Sequence, residues 1–489
     1  MGIFSRIFRP RITAEEMRGL VQKSFQAAYY AATSDSKSMD FSFASAVGFN
    51  QALCSDLENL RRRCRYELRQ NGLAKGLGRN YANSVVCTGP ALSIQSDDQS
   101  WGESVEIAFS EWARTAEYLR GLSLGAMLHL GVRQFFPCGE YLKLARTDND
   151  AKTPVKLRFL MIRPDRLADP YASTNLNICK GVELNGDGKP VAYHIRQDDP
   201  DFAMLTAPIA QYDRIDASKA IHVFSPEDPA QVRGEPWLAQ GLPSWHKLRR
   251  FDEATISAAL VAAKFAAVLV NKFPDIVNDV SKVLPSGVLE IQDGMMMVPP
   301  PGYEVQQVRP EHPGINVSDF RRDQIAAAAA GNAIPANIAT GDSSRSNFAS
   351  ARYDGVTLEL EGLVCRRLLE SLDLEPTFTM WLAEAVAVGQ IDPPRGDFSK
   401  IWRWPKEERH TDPYKAANAD RVRVESGLAT VGQIWMENGV DQEQGFQALT
   451  KEVARWKQMG LAHPLGAKVA PAGFTPADQT TGDQNAVPE

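Results

Sequence analysis

The chain is poor in the residue patterns that mark an enzyme. Its six cysteines among 489 residues form no CxxC pair. A disulfide framework and a cysteine zinc site are therefore not indicated, and a reducing compartment is. The seven histidines are scattered and make no HExxH. There is no Walker A loop: Gly188 and Lys189 are followed by Pro190, and the upstream glycine falls at the wrong spacing. The run Asp148, Asn149, Asp150 begins like a calcium loop but lacks the glycine and closing glutamate at the required offsets. No cofactor and no metal are expected. Long apolar runs are missing too. The most apolar stretch, Ala254 to Val270, has 17 residues, seven of them alanine, and contains Lys264. A spanning helix needs about 20, so this stretch is expected to be buried by other helices and not by lipid. At the N-terminus, Arg6 stands where a myristoylation signal requires Ser or Thr. Ile3 and Phe4 with Arg6 and Arg9 make a basic amphipathic arm without the apolar core of a signal peptide. That arm is expected to pack on the body or on a neighbouring subunit. Excess positive charge is also absent: Lys+Arg is 54 against Asp+Glu 60, a net charge of −6. Contact with DNA must then be local or weak.

What is present is an ordinary globular composition, 44% hydrophobic and 23% charged. The length predicts about three folding units. Residues 14–70 read as mostly helical, as do 101–119 and 121–136, the last ending at Pro137. Strands follow at 140–145 and 157–162. A hairpin is signalled by 181–184 and 190–195 around Asn185, Gly186, Asp187 and Gly188, and one more strand by 220–224. From Leu238 to Val270 helical spacing predicts a rod of roughly 50 Å. Ala258, Ala259, Ala262, Ala263, Ala266 and Ala267 nearly ring it with small side chains. Such a rod packs closely on more than one neighbour and suits a ring of subunits. Residues 272–317 are turn-rich and strand-like. A second helix starts at Ser318 and stops at Gly331 and Asn332. A polar loop covers 335–350, and Arg352 to Val388 is helical with an interruption near Pro376. A short strand falls at 401–404, helices occupy 412–460, and the polar tail from His463 cannot bury enough surface to order itself.

Chemistry-bearing residues admit plain readings. Ser343 follows Gly341 but precedes Arg345, so the nucleophile elbow is incomplete and a polar loop is the default. Cys138 reads as a small buried residue at a strand start. Arg61, Arg62, Arg63, Arg65 and Arg69 read as a solvated helix face or as inter-subunit salt bridges in preference to a phosphate patch. Arg321, Arg322, Arg345 and Arg352 flank the second helix and its loop, where phosphate proximity is better motivated.

The order of residues from Ile334 and Pro335 through Gly341 and Asp342 to Ser346, Asn347, Phe348, Ala349, Ser350, Ala351 and Arg352 resembles the lambda-type portal proteins of tailed phages. Arg69 to Gly72, Val85 to Gly89, Gly139 and Glu140, Gly181 to Leu184, Gly188 to His194, Ile221 and His222, and Arg233 to Pro236 agree with that family in order. So do Trp402, Trp404, Asp412, Pro413, Ala416 and Ala417. Departures are Asn332 and Ala333 where the family has Leu-Gly, Phe348 for Tyr, and Cys87 for Gly. The resemblance implies an α+β portal fold with wing, two-helix stem, strand-rich clip and helical crown, assembled as a ring. It divides the chain into arm and wing (1–237), first stem helix (238–271), clip (272–317) and second stem helix (318–334). The tunnel loop (335–350), the long helix and wing return (351–411), the crown (412–462) and a disordered tail (463–489) follow. It implies no catalysis, but a conduit at one capsid vertex through which a separate terminase packages double-stranded DNA, later ejected by the same route. Implied partners are the other subunits of a twelve-fold ring, the terminase, the major capsid protein and scaffold, and head-completion or tail adaptor proteins, with no membrane. The implied location is the virion, after assembly in host cytoplasm. Arg321, Arg322, Asp342, Ser343, Ser344, Arg345, Asn347, Phe348 and Arg352 are the expected channel residues, and the six alanines the stem contacts. The rivals are a hydrolase site assembled around Asp342 or Ser343 from distant residues, and a membrane-associated ring using Ile3, Phe4 and the Ala254–Val270 helix.

Overall fold

The computed structural model describes residues 47–170, 177–198, 211–264, 268–271, 303–306, 317–344, 346–405, 413–437, 440 and 442–461. The chain divides into two units, Met1–Ala52 and Leu53–Glu489. Of the first, only residues 47–52 are described, so the expectations for the N-terminal arm lie outside the described residues, as does the tail from 463.

The chain is a mixture of helix and antiparallel sheet. Helices α1 (Phe49–Gln70) and α2 (Gly72–Val85) are joined at Asn71, whose side chain accepts from Leu73 N and Ala74 N and so caps α2. Strand β1 (Ala91–Ser96) leads to α3 (Gln99–Ala113) and α4 (Leu124–Cys138). The helix expected over 101–119 thus stops at Ala113. Pro137, expected to end its helix, sits inside the last turn of α4, and Gly139, with φ 78°, makes the left-handed stop.

Strands β2 (Glu140–Thr147) and β3 (Leu157–Ile162) pair with β8 (Ala220–Phe224) in the order β3-β2-β8. A second sheet, β4 (Ile178–Cys179), β5 (Val182–Leu184), β6 (Pro190–Arg196) and β7 (Tyr212–Asp216), is a meander. The β5–β6 hairpin forms where Asn185 and Gly188 predict it: Asn185 Oδ1 accepts from Asp187 N and Lys189 N, and Gly188 takes φ 84°.

Helix α5 (Leu242–Lys264) follows. It is shorter than the expected rod, because β9 (Val268–Asn271) is a strand, paired antiparallel with β10 (Tyr303–Gln306). Alanine periodicity favours helix, but Val268 and Val270 have the branched side chains that suit a strand once a partner is supplied. Strand β9 thus falls at the end of the expected first stem helix and β10 within the expected clip, of which residues 272–302 and 307–316 lie outside the described residues.

Helix α6 (Val317–Ala330) is followed by α7 (Ala336–Thr340) and α8 (Phe348–Leu369). The loop expected over 335–350 therefore shrinks to 341–347. Pro335 opens α7, and the Asn347 side chain caps α8 by accepting from Ser350 N. The interruption near Pro376 is a π-helical turn, Glu370–Leu374, running straight into α9 (Glu375–Ala387) with Pro376 in its first turn. Strand β11 (Phe398–Arg403) returns to pair with β1. Helices α10 (Pro413–Glu425), α11 (Val431–Glu437) and α12 (Gln442–Gln458) complete the described chain.

The main core is aromatic. Phe109 and Trp112 of α3 stack with Phe378 and Trp381 of α9 and reach Phe159 of β3 and Trp402 of β11. Burying rings of this size supplies several kcal/mol each, so this cluster ties residues far apart in sequence into one body. A smaller core of Leu142, Leu144, Ile162, Val182, Tyr193 and Ile195 joins the two larger sheets.

Candidate channel elements and the charge network that supports them

Helices α5 and α6 form an antiparallel pair. Phe251 meets Phe320 with ring centroids 5.2 Å apart, and Arg321 pairs with Asp252 at 3.0 Å. At the other end the backbones touch: a Cβ on Gly241 would lie 2.6 Å from the Ala328 carbonyl oxygen. That end is anchored, with Trp245, Leu248, Ile325, Ala328 and Ala329 all buried. Further along α5, Ile256 and Leu260, one helical turn apart, are 61% and 59% exposed, and Phe320 of α6 is exposed as well. Of the expected stem alanines, Ala258 is exposed and Ala259 half-buried in the single chain. Ala262 and Ala263 lie in α5 with side chains outside the described set, and Ala266 and Ala267 are outside it altogether.

The expected channel residues are carried by several elements. Arg321 and the half-buried Arg322 sit near the start of α6. Roughly 14 Å of helix axis separates Arg321 from Ala330, beyond which the 341–347 loop begins. That loop is exposed at Asp342, Ser343 and Ser344 and is knit by its own groups. Thr340 Oγ1 accepts from Asp342 N, Asp342 Oδ1 from Ser344 N, and Ser343 O from Ser346 N. Arg352 is exposed in the first turns of α8, while Arg345 and the Phe348 side chain lie outside the described residues. No hydrolase geometry surrounds Ser343: among the described residues His129, His194, His222 and His246 are bound elsewhere, to Asn83, Glu183, Glu140 and Arg249. No described helix is long and apolar enough to cross a membrane.

The arginine cluster on α1 needs correction, because it is not one solvated face. Arg61 is buried with its Nη2 2.8 Å from Glu140, and its Nε donates to Cys138 O. Arg65 pairs with Asp165 and donates to Cys138 Sγ. The bridges are within the chain, not between subunits. Cys138 is buried as expected, but ends a helix instead of starting a strand. The centre is Glu140. It accepts from Arg233 Nε at 2.9 Å, Arg233 Nη2 at 2.5 Å and Gly234 N at 2.6 Å, and His222 lies 3.1 Å away. Burial alone would push this carboxyl up; the fields of Arg233, Arg61 and His222 overcome it and hold it well below the usual range. Gly139 and Gly234 permit the approach, since a Cβ on Gly234 would stand 2.2 Å from Gly139 O. A second buried knot joins β2 to the π turn: Lys143 binds Asp373 and Thr377, and Tyr141 donates to Asp373 at 2.5 Å. Burial lowers the Lys143 pKa against the pull of Asp373, and raises that of Tyr141.

Two features escaped the sequence reading. Helix α8 has two apolar faces. Leu358, Cys365 and Leu369 are buried against the core. On another face Tyr353, Val356, Leu360, Leu363 and Val364 lie within about 100° of arc and are all exposed. The second feature is a cleft of about 490 Å³ edged by Arg65, Arg69, Lys75, Arg79, Arg133 and Arg163. Its members come from α1, α2, α4 and the β3 exit, so no single stretch of sequence displays it.

The deciding comparison is with the family described as phage portal protein, lambda family, whose sequence model matches residues 36–356. The chain belongs to the lambda family of phage portal proteins. A probable portal protein of Halomonas phage phiHAP-1 is 24% identical over 450 residues, covering 87% of this chain and 86% of the relative. Portal protein B of Escherichia phage lambda is 20% identical over 417 residues, covering 77% and 78%. Among solved structures, a chain in the virion of a native gene transfer agent particle is similar at 13% identity and a TM-score of 0.47, covering 79% of this chain and 93% of that one. Portal proteins are structural components of the phage particle and not enzymes. The strings that carry the family resemblance now have a physical meaning in this portal protein: Gly139, Glu140, His222, Arg233 and Gly234 meet in the buried knot. Two family glycine positions keep the glycine conformation without the glycine. Cys87 has φ 49° and Ala333 φ 52°.

Proposed function

We propose that this portal protein assembles as a ring, of twelve copies on the family pattern. DNA is driven in through its axis by a separate terminase and leaves by the same route. In this reading α5 and α6 are the stem, the segment opened by β9 and closed by β10 is the clip, and the 341–347 loop is the tunnel loop. Helices α10–α12 belong to the crown, and the body around the Glu140 knot is the wing. The single observation that carries the ring is the second apolar face of α8. A helix already anchored through Leu358, Cys365 and Leu369 has no need of a further apolar face unless another copy covers it. The exposure of Ile256 and Leu260 on α5 and of Phe320 on α6 supports the same reading. A net charge of −6 suits a conduit, because many phosphate contacts would make binding tight and salt-dependent instead of sliding. Terminase, scaffold, capsid protein and adaptors are the partners of such a ring, in the virion and, during assembly, in host cytoplasm.

The channel reading is tested with Arg345→Glu in all copies, which places negative charge at the tunnel loop. Rings should assemble as before, and nuclease-protected DNA in filled heads should fall, more so at low salt where screening is weakest. Equal protection of DNA at both ionic strengths would remove the 341–347 loop from the DNA path.

A further inference from the structure

Cys54 of α1 and Cys179 of β4 are 125 residues apart in sequence, yet their sulfur atoms lie 3.3 Å from one another. Both side chains are half-buried, so a small reagent can reach them. The other thiols differ: Cys64, Cys138 and Cys365 are buried, and Cys87 is exposed. Cys179 is held firmly. It stands immediately before a two-residue hairpin turn, with Lys180 at φ 48° and Gly181 at φ 86°, both values a primed turn requires. The Lys180 carbonyl accepts from the buried Arg233 guanidinium, and Gly181 N donates to Asp169 at 2.7 Å. The opposing sulfur is carried on a long helix. Two sulfurs presented by anchored elements at this distance need only about 1.3 Å of closure to reach bond length.

We propose that Cys54 and Cys179 are a redox-active pair, which a low-molecular-weight disulfide closes into a bond stapling α1 to the edge of the four-stranded sheet. We take Cys179 as the attacking sulfur: contact with Cys54 Sγ, with help from Arg233 and Lys180 against burial and Asp169, lowers its pKa to about 7. The same contact and burial raise the Cys54 pKa, which keeps it a thiol while Cys179 reacts; once Cys179 is in a mixed disulfide that contact no longer holds the Cys54 proton. In the first step the Cys179 thiolate attacks one sulfur of the small disulfide. A mixed disulfide forms, and the departing thiolate takes up a proton. In the second, Cys54 loses its proton and attacks Cys179 Sγ, expelling the second small thiol. Two protein thiols are oxidised, one small disulfide is reduced to two thiols, and no other oxidant is needed. The staple is open where thiols predominate and closes where disulfides do. The proposal does not depend on the channel assignment.

The test uses the full-length protein in glutathione buffers of increasing oxidised fraction, quenched by alkylation and mapped by mass spectrometry. The expected result is a 54–179 linked peptide, with free thiols falling from six to four apart from any glutathione on Cys87, and full reversal by reduced glutathione. The thermal midpoint should rise on oxidation of the wild type and not of Cys54→Ser. Cys54→Ser should trap glutathione on Cys179, because the second step has lost its nucleophile. The wild-type map stands even if that variant folds poorly. Absence of the 54–179 peptide under buffers that modify Cys87 fully would overturn the proposal. So would a linkage spread over other cysteine pairs.

Discussion

Replacing Leu360 and Val364 together by glutamate separates an interface face from an incidental one. In the single chain these residues expose 60% and 66% of their surface. Complete burial of such a side chain contributes about 1.5–3 kcal/mol, so covering what remains is worth about 1–2 kcal/mol each. The pair then contributes about 3 kcal/mol per subunit contact, roughly a hundredfold in the association constant. Burying two new carboxylates without partners adds a further cost of several kcal/mol. The buried face of α8, at Leu358, Cys365 and Leu369, is untouched. Protomer stability should therefore change by less than about 0.5 kcal/mol. Sedimentation velocity reads the assembly and chemical denaturation the protomer. The expected result is a folded protomer that no longer forms rings at concentrations where the wild type does. Rings at wild-type yield would show that this face is solvated in the assembly, and the argument from α8 would fail.

Four further outcomes follow from the packing. Glu140→Gln leaves Arg61 and Arg233 buried without their shared carboxylate and should cost about 3–5 kcal/mol of protomer stability by denaturant titration. The folded-state pKa of Glu140 is depressed, so its contribution is fully present above the unfolded value of about 4.3 and is lost as pH falls through the folded value; an acid titration should be shallower in the Gln variant. Ala333→Gly relieves a left-handed alanine at an exposed site and should add about 1 kcal/mol, with a raised thermal midpoint as the readout. Gly241→Ala should force α5 and α6 apart at Ala328, costing about 1–3 kcal/mol and lowering ring yield.

Much of this architecture is local and therefore legible. The hairpin at Asn185 and Gly188, the strands at 140–145, 157–162 and 220–224, and the helices of 413–458 follow from turn chemistry and periodicity. What escapes is decided by partners far away in sequence. Five arginines on α1 look alike, but Arg61 turns inward because Glu140 and Asp165 wait there. The end of the first stem helix is set by the pairing of Val268–Asn271 with Tyr303–Gln306. The spacing of Tyr353, Val356, Leu360 and Leu363 announces an apolar face, but only the fold shows that the chain itself leaves it bare. The expected channel residues were legible as a motif and not as a place, since Arg321 and Arg322 belong to α6, Asp342, Ser343 and Ser344 to the 341–347 loop, and Arg352 to α8. Of the motif residues that carry the family resemblance, Gly139, Glu140, His222, Arg233 and Gly234 work as structure, around Glu140.

We expect this portal protein to work as a ring around a DNA-sized channel. Electron microscopy of the purified full-length protein, with subunits counted in end-on views, tests it most directly. The account predicts closed rings, twelve-fold on the family pattern, with the second apolar face of α8 and the exposed apolar residues of the α5–α6 pair covered by neighbouring subunits. A protein that remains a compact monomer at all concentrations and with scaffold present, or rings that leave both surfaces in solvent, would contradict it.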